Sequence, residues 1–424
     1  MKKAYSILLM LPFLLIVTGM PSCSYSNDDD QTEHENKPDP EPEPEPEPDP
    51  EKYTEALKLP NCYMVKPGES VSIPVLKAFA VWNIYSDELL SQDISFSEFT
   101  PVPELLWQDE PGLITAVGLL ENVGEDSQFV VATAGKTGNA VVVIKFGDII
   151  RWSWHIWVTE YTPADEPGKS LYGRTYEWDN NGDKTIDYVW MDRNLGALSD
   201  GTLLTPADSL AACGLLYQWG RKDPFPGDRM LRHTTSNNPP NYDSRPIYDM
   251  QGNQLPETGL EPGNGIYVVR RSKEDPYCGL APAISNPKIL YLGVSGYSDW
   301  YASETFDSND ELWGMSGDKS PFDPCPEGWR IPAFKNDKSP WDGFTNATTE
   351  YSSLGVFPQA GFRYIYNGGA LKNSGFGVSM WCASVLKGGN GILLSIYNDY
   401  AGKPQTKTSV SERSTGASIR CVQE

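Results

Sequence analysis

Histidine is nearly missing from this chain, with three in 424 residues. His34 lies in an acidic, proline-rich stretch, so a nucleophile–imidazole pair would have to use His155 or His233. No Cys-x-x-Cys, Gly-x-Ser-x-Gly, His-Glu-x-x-His, phosphate loop or dinucleotide fingerprint occurs. A pair of carboxylates leaves no such signature, so a carboxylate-based hydrolase stays as a minor alternative. Basic residues are also short, 34 Lys+Arg against 57 Asp+Glu, for a net charge of −23. That surface repels a phosphate backbone, and no nucleic acid partner is expected. An acidic surface suits cations such as calcium instead. Long apolar runs are absent: Ile7 to Val17 falls short of the roughly 20 residues a membrane-crossing helix needs.

What the chain has instead is aromatic residues and turns: 13 Trp, 22 Tyr, 38 Gly and 35 Pro. With no long helical pattern, this reads as β-rich and loop-rich. The length is too great for one core, and two or three domains are expected.

The N-terminus is an address. Lys2 and Lys3 precede the apolar run, and Cys23 follows it. This is the layout of a secretory signal, and residues 1–22 resemble a bacterial lipoprotein signal, cleaved before Cys23, whose thiol then carries lipid. Met20-Pro21-Ser22-Cys23 departs from the usual box, which carries Leu three places before the Cys; plain secretion is the alternative. Asp28-Asp29-Asp30 behind Cys23 resembles the surface-export signal of Bacteroidetes lipoproteins. The resemblance implies a lipid-anchored protein on the outward face of the outer membrane. Residues 23–52 form an acidic tether in which Pro and acid alternate from Pro38 to Glu51. Such a run builds no core and favours extended polyproline II, reaching about 40 Å at about 3.1 Å per residue.

Residues 53–163 alternate short apolar runs with turn signals. Cys62 to Val65, the Lys66-Pro67-Gly68-Glu69 turn and Ser70 to Val75 have hairpin spacing. Gln128 to Thr133, Asn139 to Lys145 and Ile149 to Val158 follow. In the last run Trp152, Trp154, Ile156 and Val158 share one face, and Ser153, His155 and Trp157 the other. A small antiparallel sandwich is expected. Through Asn61-Cys62-Tyr63 and Trp152 to Trp157 it resembles an immunoglobulin-like module found in Bacteroidetes surface lipoproteins. The Trp ladder reads as sheet packing ahead of a sugar platform, and His155 as structural.

Residues 168–424 open with two aromatic runs, Leu171 to Trp178 and Tyr188 to Asp192. Between them Asp179, Asn181, Asp183, Thr185 and Asp187 carry oxygens at the spacing of a calcium loop. Lys184 replaces the usual Gly and Trp190 stands where a bidentate acid belongs. The competing reading is a bare Asp/Asn/Gly turn. Further on come Trp190-Met-Asp-Arg-Asn-Leu-Gly196, Leu216-Tyr-Gln-Trp-Gly220, Leu312-Trp-Gly314, Asp323-Pro-Cys-Pro-Glu-Gly-Trp-Arg-Ile-Pro332, Ala360-Gly-Phe-Arg363, Trp381-Cys-Ala-Ser384 and Ser418-Ile-Arg-Cys-Val422. In that order they resemble the Fibrobacter succinogenes major paralogous domain family. The resemblance covers about 172–424, with a less patterned stretch from about 229 to 290. It implies a C-type-lectin-like or formylglycine-generating-enzyme-like α+β fold and a structural Cys325–Cys421 bridge. Pairing of Cys213 with Cys382, or of Cys278 with either, stays open, and Cys62 reads as a buried thiol.

Binding is the expected activity, not catalysis. Asp299, Trp300 and Tyr301 combine aromatic faces with an acid and are the candidate glycan contacts. The opposing reading has Trp300 plugging a loop into the core. The expected partners are the outer membrane, through Cys23, and a glycan or host protein. A structural or accessory subunit of a surface fibre is the alternative.

Overall fold

The run of alternating proline and acid ends in a helix. In the computed structural model of this chain, α1 spans Pro50–Leu57. Proline is tolerated at a first helical position, where its missing N–H has no intrahelical partner, and Glu51 suits the positive end of the helix dipole. The structure describes residues 50–89, 100–120, 124–163, 175–180, 182–203, 205–231, 244–256, 267–270, 278–293, 299–302, 307–315, 317–342, 354–386, 390–398 and 404–424. The signal, Cys23, most of the tether, Asn181 and His233 lie outside them.

Seven strands build the first part: β1 Cys62–Val65, β2 Ser70–Pro74, β3 Pro101–Gln108, β4 Ile114–Leu119, β5 Gln128–Thr133, β6 Gly138–Phe146 and β7 Ile149–Val158. They form two sheets, β1-β7-β6-β3 and β2-β5-β4. All pairings are antiparallel except β1 with β7, which run parallel. The turn read at Lys66 to Glu69 is present: Glu69 N donates to Lys66 O at 3.0 Å. Gly68 sits at φ 83°, which only glycine adopts cheaply after Pro67.

A helix interrupts this β-rich part where none is expected. α2, Leu76–Ile84, is followed by the single turn α3, Ser86–Leu89. Every residue from Lys77 to Trp82 is buried, as befits a helix that is mostly apolar on every side. Phe79 meets Phe146 at 4.6 Å between ring centroids, and the Trp82 indole donates to Arg151 O at 2.6 Å. Short apolar runs rich in Phe, Val and Trp do not distinguish helix from strand by period alone.

Among the described residues thirteen further strands follow. β8 Thr175–Trp178, β9 Tyr188–Met191, β10 Tyr217–Gln218, β11 Tyr267–Arg270, β12 Ile289–Leu292 and β13 Trp329–Arg330 come first. Then come β14 Phe362–Tyr364, β15 Ala370–Lys372, β16 Gly377–Leu386, β17 Asn390–Asn398, β18 Pro404–Glu412, β19 Gly416–Ala417 and β20 Val422–Gln423. Two helices, α4 Pro206–Ala211 and α5 Leu280–Ser285, sit among them. The Thr205 hydroxyl caps α4 by accepting from Asp208 N. The sheets are β10-β19-β14-β15, β13-β20-β9-β8, the meander β16-β17-β18, and the parallel pair β11-β12.

The tryptophans of these motifs are core. Trp190, Trp219, Trp313 and Trp381 are fully buried, and so are Arg413 and Arg420. Cys325 and Cys421 form the disulfide, with Cα atoms 6.1 Å apart. Beside it β13 pairs with β20, so the last residues are held by both hydrogen bonds and a covalent link. Asp323 shapes the loop, accepting from Cys325 N and Ile331 N at 2.8 Å each. Cys62, Cys213, Cys278 and Cys382 are buried free thiols. No Cys213–Cys382 bridge, and none from Cys278, is formed, which corrects that open pairing. Burial pushes the Cys213 thiol up to about 11 and that of Cys382 up to about 12.

From Pro48 onward the chain is one compact unit. The joint between the two parts is built from buried polar contacts. Asn61 Nδ2 donates to Pro321 O at 2.7 Å and Asp323 O at 2.8 Å, while its Oδ1 accepts from the Trp152 indole at 3.1 Å. Ser153 Oγ donates to Asp223 Oδ1 at 2.5 Å, and Lys222 Nζ lies 2.8 Å from that same oxygen. Gln108 exchanges backbone hydrogen bonds with Tyr248. Both faces of β7 from Trp152 on are therefore covered, one consequence of the second part packing onto the first. The Trp ladder is packing.

Candidate functional site

Asp299, Trp300 and Tyr301 do not form a binding surface, which corrects that expectation. They are 2%, 1% and 4% exposed. The Trp300 indole donates to Trp219 O at 2.6 Å, and Asp299 pairs with Arg413 Nη1 at 3.2 Å. A ring with neither face open has nothing to offer a sugar. Trp300 completes the core around Trp219 and Trp313, whose rings lie 5.3 Å apart. Burial pushes the Asp299 carboxyl up, against the pull of Arg413.

The candidate calcium loop joins β8 to β9, as its aromatic flanks imply. Its carboxylates face the loop's own backbone. Asp179 Oδ1 accepts from Gly182 N and Oδ2 from Lys184 N, both at 2.6 Å. Asp183 Oδ1 accepts from Thr185 N at 2.8 Å, and Asp187 Oδ2 from Asn180 N at 3.0 Å. Lys184 takes φ 71°, the left-handed conformation the calcium pattern gives to glycine. Among the described residues no three His, Cys, Asp or Glu side chains gather closely enough to hold a metal ion. Asn181 lies outside the described residues.

His155 is buried in the joint. Asn139 Nδ2 donates to Asp109 Oδ2 at 2.8 Å and to Gly196 O at 3.0 Å, which turns Asn139 Oδ1 toward His155 Nε2 at 3.0 Å. Nε2 therefore carries the proton and Nδ1 accepts from the Tyr217 hydroxyl at 3.5 Å. Cys62 lies opposite His155 across the β1–β7 ladder. Burial pushes the thiol up and the imidazole down to about 3, so both are held neutral and neither is in a reactive form. A pH dependence follows. The unfolded imidazole takes a proton near 6.5 and the folded one only near 3. Stability from His155 is complete above pH 6.5 and is lost as pH falls toward 3, by about 1.4 kcal/mol per unit. Buried Asp109, Asp299 and Asp323 are shifted upward and act in the opposite sense. The expected result is that His155→Gln has a flatter fall in urea midpoint between pH 7 and 5 than the parent; parallel curves would remove His155 as the source.

The surface offering recognition chemistry lies elsewhere, on β14 and the turn that follows. Phe362-Arg363-Tyr364-Ile365-Tyr366 alternates. Arg363 and Ile365 are buried, while Phe362 and Tyr364 are half-exposed and Tyr366 is 63% exposed. Arg363 fixes the strand from below, donating to Pro226 O and Ser244 Oγ at 2.7 Å. Gly361 lets β14 run close to β15: a Cβ there would lie 2.2 Å from Lys372 O. The three outward rings form an edge-to-face row, with centroids 5.6 and 5.3 Å apart.

Charged groups frame this row. Lys372 Nζ sits 4.5 Å over the Tyr364 ring. Arg270 at the end of β11 donates to Ile365 O at 3.4 Å. The Tyr366 hydroxyl donates to Glu412 Oε1 at 2.7 Å, and that bond holds the hydroxyl above its ordinary range, so it stays a donor. Ser411 Oγ donates to Glu412 Oε2 at 3.3 Å. Glu412 is itself anchored from within, because the next residue, Arg413, is buried over Trp219 at 4.3 Å. In the sequence this row is an aromatic residue at every second position from Phe362 to Tyr366. No family model, curated protein or solved structure matches this chain.

Proposed function

We propose that this chain is a non-catalytic surface lipoprotein that binds glycan through its C-terminal part. In this reading Cys23 carries the lipid, the acidic tether lifts the folded part from the outer membrane, and an immunoglobulin-like sandwich supports a lectin-like module. The observation that carries the binding role is Tyr366, an exposed ring held in one orientation by Glu412 and flanked by Tyr364 and Phe362. A fixed aromatic face loses little conformational entropy when a flat C–H surface stacks on it. Glu412 at the Tyr366 hydroxyl and Lys372 over the Tyr364 ring supply an acceptor and a donor beside the row.

The test is a printed glycan array beside a panel of host-matrix proteins, probed with residues 48–424. The parent should bind glycans, and Tyr366→Ala should lose at least about tenfold, the scale of one well-packed aromatic contact. Because Tyr366 is exposed, the substitution should leave stability within about 0.5 kcal/mol. A parent that binds matrix protein and no glycan, or neither, overturns the glycan reading.

A further inference from the structure

We infer that the glycan taken at Tyr366 is a neutral hexose chain, with Glu412 setting that choice; this rests on the glycan reading above. Three kinds of group meet at this surface. Tyr366 offers an apolar face. Glu412 is an acceptor whose oxygens already take one bond each, from Tyr366 and Ser411. A carboxylate has about four acceptor positions, so capacity remains for incoming O–H donors. Lys372 and Arg270 are donors only, and each contacts the same short segment, Lys372 at the Tyr364 ring and Arg270 at Ile365 O.

An anionic sugar would suit the two cations and meet repulsion from Glu412. A cationic ligand would suit Glu412 and meet repulsion from Lys372 and Arg270. A hydroxyl both donates and accepts, so a neutral polyol satisfies both kinds of group at once, and a hexose adds the flat C–H face that Tyr366 stacks against. Specificity then comes from the misplaced charge that either ionic ligand would bring.

The experiment is calorimetry on residues 48–424 with cellohexaose, laminarihexaose and mannohexaose, set against sialyllactose and an oligogalacturonate. The best neutral chain should bind at least about tenfold more tightly than either anionic one, because Glu412 is bonded to the Tyr366 ring itself whereas Lys372 and Arg270 contact Tyr364 and Ile365 O. Glu412→Gln keeps an acceptor for the Tyr366 hydroxyl and removes the charge. It should weaken the neutral chain about three- to tenfold and narrow the gap to the anionic ones, because an acceptor bond to a charged group is replaced by a neutral one. Tighter binding of an anionic chain overturns the inference. So does neutral binding that survives both Tyr366→Ala and Glu412→Gln, which places the site elsewhere and leaves glycan binding standing. An array with no glycan bound by the parent removes both.

Discussion

Cys325→Ser together with Cys421→Ser should lower the unfolding free energy by about 4–5 kcal/mol, read as a shifted urea midpoint at little-changed slope. The bridge joins residues 96 apart. Without it, the unfolded chain regains the freedom of that whole loop, and the chain-entropy model sets that figure as an upper estimate. The native clasp keeps its other contacts. Lys319 Nζ still donates to Pro326 O at 2.7 Å, and β13 still pairs with β20. The rims of the Tyr366 surface belong to β14, β15, β11 and β18, none of which carries either cysteine. Glycan affinity of the folded fraction should therefore be unchanged. A variant that keeps the parent's midpoint would show that β-pairing alone holds the C-terminus.

Asp299→Ala should be nearly as costly, by about 3–5 kcal/mol, because it leaves a buried guanidinium short of its countercharge. Arg413 is 1% exposed, stacked on Trp219, with Asp299 buried beside Nη1 and the more exposed Asp310 beside Nη2. Asp299 also accepts from Tyr301 N at 2.9 Å, so removing it orphans a buried amide as well. Asp299→Asn retains an acceptor for that amide and should fall between the parent and Asp299→Ala. Thermal or urea unfolding reads the series. If Asp299 were a ligand contact, stability would hold and affinity would fall; the structure requires the opposite order, with any loss of affinity following from a displaced Glu412.

The correction at Asp299 to Tyr301 and the Trp ladder, which packs as its alternation implies, turn on one physical point. Ser298-Asp-Trp-Tyr301 and Trp152 to Trp157 stand out because they are rich in aromatics, and aromatics mark both cores and platforms. Only packing tells the two apart, and here the second part covers β7 while Trp219 and Arg413 enclose Trp300. The row Phe362, Tyr364 and Tyr366 is less conspicuous in sequence, because the motif Ala360 to Arg363 ends on Arg363, which faces inward. α2 is obscure for a related reason: seven of its nine residues are apolar and lie on every side, so no amphipathic period betrays a helix.

What the sequence determined by itself is the local chemistry. Pro67-Gly68 makes the turn before β2, the alternation from Ile149 to Val158 makes a strand, and Asp179 to Asp187 makes a turn between two aromatic strands. Few histidines and abundant acid narrow the chemistry before any fold is known. Tertiary structure alone decided which aromatic rings face water, that Cys213, Cys278 and Cys382 stay unpaired, and that the two parts share one packed joint. Backbone conformation depends on neighbours a few residues away, whereas exposure depends on contacts between segments up to hundreds of residues apart. Tyr366 shows the difference: its ring is free because of where β14 lies, and it is fixed because Glu412, 46 residues on, is anchored by Arg413 in the core.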